Sequence, residues 1–163
     1  MPGNAFELAP SNSFDCVLFT EVIEHVAHPD EFMINVARMM KPGGVAVMTT
    51  PNGGYFRNTL PRFSNHPNPS IFETEQFKPN SDGHIFLLWP DEIRKFAAAA
   101  GLLVDRQIFF TTPLTNGYMK THYLLRVMPE FCVWFLEFAA LSLLSFRIQE
   151  HLMVQTATRF RKL

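Results

Sequence analysis

The sequence predicts an α/β fold in which parallel strands alternate with crossover helices. Residues 14–20 and 45–49 are two continuous apolar runs, the pattern of strands that are covered on both faces. Between them, Pro29 and two acidic residues begin a helical pattern, which ends at the Lys-Pro-Gly-Gly segment at 41–44. Strand, helix, glycine turn and strand in this order form a right-handed parallel crossover. The first third of the chain therefore predicts a βαβ unit.

The rest of the chain predicts a long loop, two helices and two more strands. Residues 51–83 hold prolines, asparagines and scattered aromatic residues without periodicity, which predicts a loop or lid over the carboxyl edge of the sheet. A helix is expected from Pro90 to Gly101, and a strand over 102–111 follows it. Residues 129–148 predict a helix that is apolar nearly all round, and residues 151–158 a last short strand.

The apolar segment 129–148 allows three interpretations. Its most apolar run, residues 131–146, falls short of the ~20 residues that a helix needs to span a bilayer. We expect a buried helix that packs against the sheet. The alternatives are a hydrophobic lid for a lipid-like substrate and a contact with a membrane surface.

Composition predicts one globular domain over residues 1–163, because 47% of its residues are hydrophobic. The 14 basic residues are balanced by 15 acidic ones, so a nucleic-acid partner is not expected. The basic cluster at 159–162 predicts a solvated tail. Cys16 and Cys132 lie in apolar surroundings and do not form a disulfide framework, and no signal peptide is recognised. These features predict a cytoplasmic protein.

The strongest concentration of chemistry lies directly after the first predicted strand, at Glu21, Glu24 and His25. If an α-helix begins near Glu21, these residues occupy positions i, i+3 and i+4 and share one face. The carboxyl end of a buried strand is where α/β proteins bind ligands. His84, in a later Gly-His segment, is the next plausible partner. Two alternatives remain: Glu24 and His25 cap a helix and face solvent, or His84 contacts substrate as a general base without metal.

An ordered set of segments resembles the class I S-adenosylmethionine-dependent methyltransferases. The segments are Phe-Asp at 14–15, Glu-Val-Ile-Glu-His-Val at 21–26, Lys-Pro-Gly-Gly at 41–44, Thr-Thr-Pro-Asn at 49–52, and Gly-His at 83–84. Each segment alone is weakly specific, but the set in this order is strong. The resemblance implies a partial Rossmann-like methyltransferase sheet, flanked by helices. Only strands four to seven of the family are expected, in the spatial order 4-5-7-6, with the last strand antiparallel between its neighbours.

The resemblance also implies what this chain lacks. Members of the family begin with a Gly-rich loop near the cofactor and an acidic residue on the ribose hydroxyls, and this sequence contains neither. We therefore expect the C-terminal half of a methyltransferase domain, truncated from a longer enzyme or paired with a second chain. The strand at 14–20 would then have a bare edge. A rearranged or swapped homodimer is a further alternative.

The family further implies a cofactor and a metal. Residues after the fourth strand line the sulfonium end of S-adenosylmethionine, which predicts Phe19, Thr20 and Glu21 as cofactor neighbours. The sequence is similar to a subset that contains the ubiquinone-biosynthesis O-methyltransferases and carries the same Glu-x-x-Glu-His step. That similarity implies Glu21, Glu24, His25 and His84 as ligands of Mg²⁺ or another divalent metal.

The predicted function is methylation of a hydroxyl on a small-molecule acceptor by a S-adenosylmethionine-dependent enzyme, with or without help from a divalent metal. Glu24, His25 and His84 are the predicted catalytic residues, because a metal there could lower the pKa of the acceptor hydroxyl. The chain alone is expected to be inactive without the N-terminal half. The alternative is a noncatalytic remnant or partner subunit that pairs through the exposed edge of the 14–20 strand.

Overall fold

A computed structural model describes residues 7, 10–75, 83–116 and 121–163 of the chain. Its described residues contain one four-stranded sheet. The strands are β1 (Phe14–Thr20), β2 (Met40–Pro51), β3 (Leu102–Phe110) and β4 (Gln155–Lys162). Their spatial order is β1-β2-β4-β3, with β1 and β2 parallel and β4 antiparallel to both of its neighbours. This confirms the α/β class and the predicted order 4-5-7-6.

Two helices cover one face of the sheet and begin where the sequence predicts. They are α1 (Pro29–Met39) and α2 (Pro90–Ala99). Each starts with a proline and two acidic residues, which suit the free amides and the positive end of a helix. The carboxylate of Glu92 also accepts a hydrogen bond from the backbone amide of Trp89 at 2.9 Å and so caps α2. The proline and the acidic residues in the sequence therefore determine where both helices begin.

The hydrophobic core lies between this sheet face, the two helices and the segment 83–89. Its fully buried members come from every one of these elements, so the layers are joined by one continuous cluster. The core includes Ile23, Met33, Met48, Phe86, Ile93 and Phe160.

Strand β1 differs from the prediction of a strand covered on both faces. It lies at the edge of the sheet, Leu18 is 68% exposed and Cys16 is also exposed. The apolar run at 14–20 is therefore not a buried strand within the described residues. The expectation of two covered faces is wrong. Among the described residues, β1 pairs on one side only, with β2, which agrees with the expected bare edge.

The region between β3 and β4 also differs from prediction. Instead of one helix over 129–148, it contains α3 (His122–Val127), α4 (Glu130–Leu143) and α5 (Phe146–Leu152). The chain is extended at Leu144 and Ser145, which separates α4 from α5. No residue of α4 is buried, so the expectation of a helix buried against the sheet is wrong. Within the described residues, no helix is both long and apolar enough to cross a bilayer.

The C-terminal residues are strand, not tail. His151 belongs to α5, and the last strand begins four residues later than predicted, at Gln155. Arg159 and Arg161 of β4 both reach a carboxylate oxygen of Asp105 on β3, each at 2.9 Å. The hydrogen bond from Arg161 is the main cause that lowers the pKa of Asp105. The predicted solvated tail is wrong because these cations pair with the neighbouring strand.

Asn52 joins the end of β2 to α5 and to the residues that directly follow α5. Its buried side-chain amide donates to the carbonyls of Glu150 and Met153 at 2.6 and 2.8 Å, and its oxygen accepts from the Gly54 amide at 3.0 Å. Asn52→Ala is expected to lower the free energy of unfolding by about 2 kcal/mol, because it leaves these buried groups without partners. Urea unfolding measures this loss. Asn35→Ala, a partly exposed control with one local bond, should cost less than about 0.5 kcal/mol, and equal losses would contradict the prediction.

Candidate functional site

The segment after β1 is a tight turn. Glu21 has a positive φ of 51°, and its amide donates to the carbonyl of Thr49 at 2.9 Å. A single 3₁₀ turn, Ile23–His25, follows it where an α-helix was predicted. The turn leaves Glu21 exposed and buries Glu24, so the shared helical face predicted for Glu21, Glu24 and His25 is wrong.

The carboxyl group of Glu24 is the most unusual polar group in this region. The residue is 0% exposed, and one carboxylate oxygen accepts a hydrogen bond from the Thr50 hydroxyl at 3.0 Å. The other, Oε1, is buried and has no hydrogen-bond partner. Burial raises the pKa of Glu24 to about 7. The alternative of a solvent-facing cap is therefore wrong for Glu24, and its free oxygen is available to a ligand.

Hydrogen bonds bring the distant Gly-His segment to this turn. The carbonyl of Glu24 accepts from the amides of Ile85 and Phe86, at 2.7 and 3.4 Å. Nδ1 of His25 lies 3.2 Å from the carbonyl oxygen of Gly83. These contacts place the His25 and His84 rings edge to face, with their centroids 4.9 Å apart. Residues separated by about sixty positions in the chain therefore meet at one site.

Glu24, His25 and His84 form a cluster that fits a divalent cation. One ligand atom from each residue lies within 4.8 Å of the other two. Carboxylate oxygen and imidazole nitrogen are ligands that Mn²⁺, Zn²⁺ and related ions accept. The unpartnered Oε1 of Glu24 supports the fit, because a buried carboxylate oxygen is stabilised by a cation. Among the residues that the structure describes, Glu21 is not part of this cluster.

A cavity of about 350 Å³ opens next to the cluster. Glu21 and His84 belong to its wall, so Glu21 is close to the site although it is outside the cluster. The carboxylate of Glu21 also accepts from the Thr49 hydroxyl at 3.0 Å. The remaining wall combines apolar and polar side chains suited to a small organic molecule. These include Tyr55, Arg57, Asn58, Leu60, Leu87, Asn116 and Gln155.

The predicted loop over residues 51–83 contributes to this cavity through its first part. Residues 55 and 57–60 form one side of the cavity, and two short 3₁₀ turns follow, Phe63–Asn65 and Pro69–Phe72. Residues 76–82 lie outside the described residues, so the lid stays a prediction. Phe56 borders a second, apolar groove beside α5.

The predicted cofactor neighbours differ in their environments. Phe19 is buried and packs edge to face on Phe32, so its side chain belongs to the core. Thr20 and Glu21 are exposed at the carboxyl end of β1. Sequence reasoning missed Thr50 and Asn116. Thr50 directly follows the apolar run of β2, a signal that could have found it, whereas nothing in the local sequence marks Asn116.

Comparison with known proteins decides the family. The family model described as a methyltransferase domain matches residues 3–107. The chain belongs to this family. The fold is shared with a solved S-adenosylmethionine-dependent methyltransferase from Archaeoglobus fulgidus, which superposes with a TM-score of 0.56 at 15% identity, over 99% of this chain and 66% of that one. The predicted resemblance to class I methyltransferases is confirmed.

The methyltransferase domain also has curated relatives. A ubiquinone biosynthesis O-methyltransferase of Rhizobium etli (strain CIAT 652) is 33% identical over 132 residues, which cover 74% of this chain and 50% of that protein. The chain thus spans about half the length of the curated relatives it matches. The [4+2]-cyclase SpnF has the same fold, with a TM-score of 0.55, 18% identity, and coverage of 98% of this chain and 55% of its own. The fold alone therefore does not specify the reaction.

Proposed function

We propose that this chain forms the acceptor side of an S-adenosylmethionine-dependent O-methyltransferase whose substrate is a small molecule. The observation that carries the proposal is the cluster of Glu24, His25 and His84, whose member His84 also lines a cavity. The name of the Rhizobium etli relative supports O-methylation. The activity of a whole enzyme is part of the proposal, because the relatives are about twice as long.

The cluster would hold a divalent cation through the Glu24 carboxylate and the two imidazoles. Such a cation, when bound, lowers the pKa of a neighbouring hydroxyl and favours its oxyanion. The protein itself orients the ligands. The Thr50 hydroxyl fixes the Glu24 carboxylate, and the Gly83 carbonyl fixes the imidazole of His25.

The cavity would position the acceptor for methyl transfer. His84 belongs both to the cluster and to the cavity wall, so an acceptor hydroxyl in the cavity lies beside the cluster. In the transfer, the acceptor oxygen bonds to the methyl carbon while the bond from that carbon to sulfur breaks. The hydroxyl proton leaves to solvent, and the sulfonium becomes a neutral thioether. In-line geometry and a deprotonated oxygen are the main requirements of this step.

Metal binding tests the cluster directly. Titration of the chain with Mn²⁺ should detect one site, and Glu24→Gln should weaken it by about 100-fold or more, because the buried ionised ligand is lost. Glu92→Gln is the matched control, since Glu92 is equally buried but its oxygens already accept hydrogen bonds from Ser64 and Trp89. The control should bind Mn²⁺ like the wild type.

Two outcomes would contradict metal assistance. One is a folded wild-type chain that binds none of Mn²⁺, Mg²⁺ or Zn²⁺, and the other is equal affinity in wild type and Glu24→Gln. His84 would then be the candidate general base without metal, because it lies on the cavity wall.

A noncatalytic partner subunit is the second candidate function, and the bare edge of β1 supports it. An exposed strand edge with an apolar residue such as Leu18 pairs readily with another strand. Calorimetric titration with S-adenosylmethionine, with and without Mn²⁺, separates the two functions. Micromolar binding supports the enzyme, whereas a folded chain that binds neither ligand supports the partner subunit.

A further inference from the structure

The outer side of α4 is an apolar stripe. Phe131, Trp134, Phe135 and Phe138 stand at positions i, i+3, i+4 and i+7, and each is 68–73% exposed. Leu141 continues the row one turn later and is also exposed. This spacing places the five side chains on one face of the helix. We call these five residues the α4 stripe.

The protein holds α4 with this stripe outward. Glu137 is the single charged residue in the interior of the helix, and it points to the loop after β3. Its carboxylate accepts hydrogen bonds from the hydroxyl and amide of Thr112 and, at 2.7 Å, from the hydroxyl of Thr115. A helix rotated to bury the stripe would lose these bonds. The hydrogen bonds of Glu137 therefore hold α4 in the orientation that exposes the stripe.

The exposed apolar area of the α4 stripe is large for a surface in contact with water. Side chains of this size each present roughly 100–175 Å² when they are about 70% exposed. The four aromatic residues therefore expose roughly 400–700 Å², and the exposed Leu141 adds to this area. A stable dimer buries about 800 Å² on each partner. At the upper end of this range, the stripe approaches that size.

The charges of α4 itself favour a protein partner over a membrane surface. Helix α4 contains no Lys or Arg, and its two charged residues are Glu130 and Glu137. Helices that lie on anionic membranes carry cations on their polar face, and α4 lacks them. Aromatic residues without charge are instead the composition of a protein interface core. The i, i+3, i+4, i+7 row is also the pattern by which two helices pack together.

We propose that the α4 stripe is the contact surface between two copies of this chain, packed α4 against α4 about a two-fold axis. The proposal goes beyond methyl transfer and does not depend on it. It has a consequence for the cavity, because Glu137 ties α4 to the loop whose Asn116 lines the cavity. Association therefore stabilises one wall of the acceptor site. An isologous contact also closes after two copies, because each copy uses the same patch.

Sedimentation velocity across a range of concentrations tests this interface. The wild-type chain should sediment as a dimer at micromolar concentration, and Trp134→Asp should raise the dissociation constant at least about 30-fold, as expected for a central aromatic residue. Ile34→Asp is the matched control, because Ile34 is a half-exposed apolar residue on α1. The control should remain a dimer. Circular dichroism checks that each variant is folded.

A second measurement uses tryptophan fluorescence. Trp134 emission should shift to longer wavelength on dilution, with the midpoint that sedimentation gives, whereas in Trp134→Phe the remaining Trp89 should show no such shift. A wild type that stays monomeric overturns the proposal. So does a dimer that Trp134→Asp leaves intact, and so does a monomer that binds phosphatidylcholine vesicles through Trp134, since a lipid surface would then cover the stripe.

Discussion

Glu24→Gln is expected to raise the stability of the metal-free chain by about 3 kcal/mol at pH 8, and by less than about 1 kcal/mol at pH 5. The reason is the raised pKa of Glu24, about 7 in the folded chain against an ordinary value of 4.5, which results mainly from burial. Between these values the folded protein binds a proton that the unfolded chain releases. The stability that protonated Glu24 contributes is full below pH 4.5 and is lost as the pH rises through 7.

Urea unfolding in a chelator at several pH values measures this difference. Wild type should lose stability between pH 5 and 8, and Glu24→Gln should show a flatter profile over the same range. Saturating Mn²⁺ should stabilise the wild type at pH 8 and leave the variant unchanged, because only the carboxylate is an ionised ligand. The Glu92→Gln control should be destabilised at both pH values, since it removes an acceptor from the amides of Ser64 and Trp89. Parallel profiles for wild type and Glu24→Gln would contradict the prediction.

The sheet and its two covering helices were predictable because their signals are local. Pro29 and Pro90 begin helices at the first position, where a missing amide hydrogen costs nothing. Gly101, with a φ of 70°, ends the second helix and leads into β3. The order of the strands did not follow from these signals. It came from the resemblance to class I methyltransferases.

The candidate site was predictable in its membership but not in its geometry. The resemblance to a methyltransferase subset implied that Glu24, His25 and His84 act together, and the structure places them in one cluster. The sequence pattern misplaced Glu21, because a helical spacing rule assumes a continuous helix from that residue. A left-handed Glu21 breaks the helix before it starts, and sequence patterns rarely predict a positive φ outside glycine and asparagine.

The region between β3 and β4 was the least predictable part of the chain. Residues 129–148 are apolar on nearly every side, so periodicity could not show which face packs inward. The orientation depends on one polar residue, Glu137, and on threonines about twenty-five positions earlier in the chain. A contact of that kind is not encoded in a local pattern, and burial was therefore the wrong inference for α4.

Gly53→Ala is expected to destabilise the chain by about 3 kcal/mol or more, because no room exists for a methyl group at this position. A Cβ atom on Gly53 would lie 2.3 Å from the carbonyl oxygen of Leu87 and 2.7 Å from the carbonyl carbon of Leu88. Both atoms belong to the backbone and cannot rotate away. The Gly53 amide also donates to the Leu88 carbonyl at 3.1 Å, so the clash would separate a bonded pair.

The same substitution is expected to weaken the candidate metal site. Leu87 and Leu88 continue the segment that carries His84, and a displaced segment moves that imidazole away from Glu24. Urea unfolding and Mn²⁺ titration on the same sample measure the two effects together. Gly101→Ala is the control: its φ of 70° makes alanine cost about 1–2 kcal/mol, but a Cβ there meets no atom within 4 Å, and Mn²⁺ affinity should not change. Equal stability losses and equal Mn²⁺ affinities in Gly53→Ala and Gly101→Ala would contradict the prediction. The close packing of Gly53 on Leu87 and Leu88 would then not be what holds His84 in the cluster.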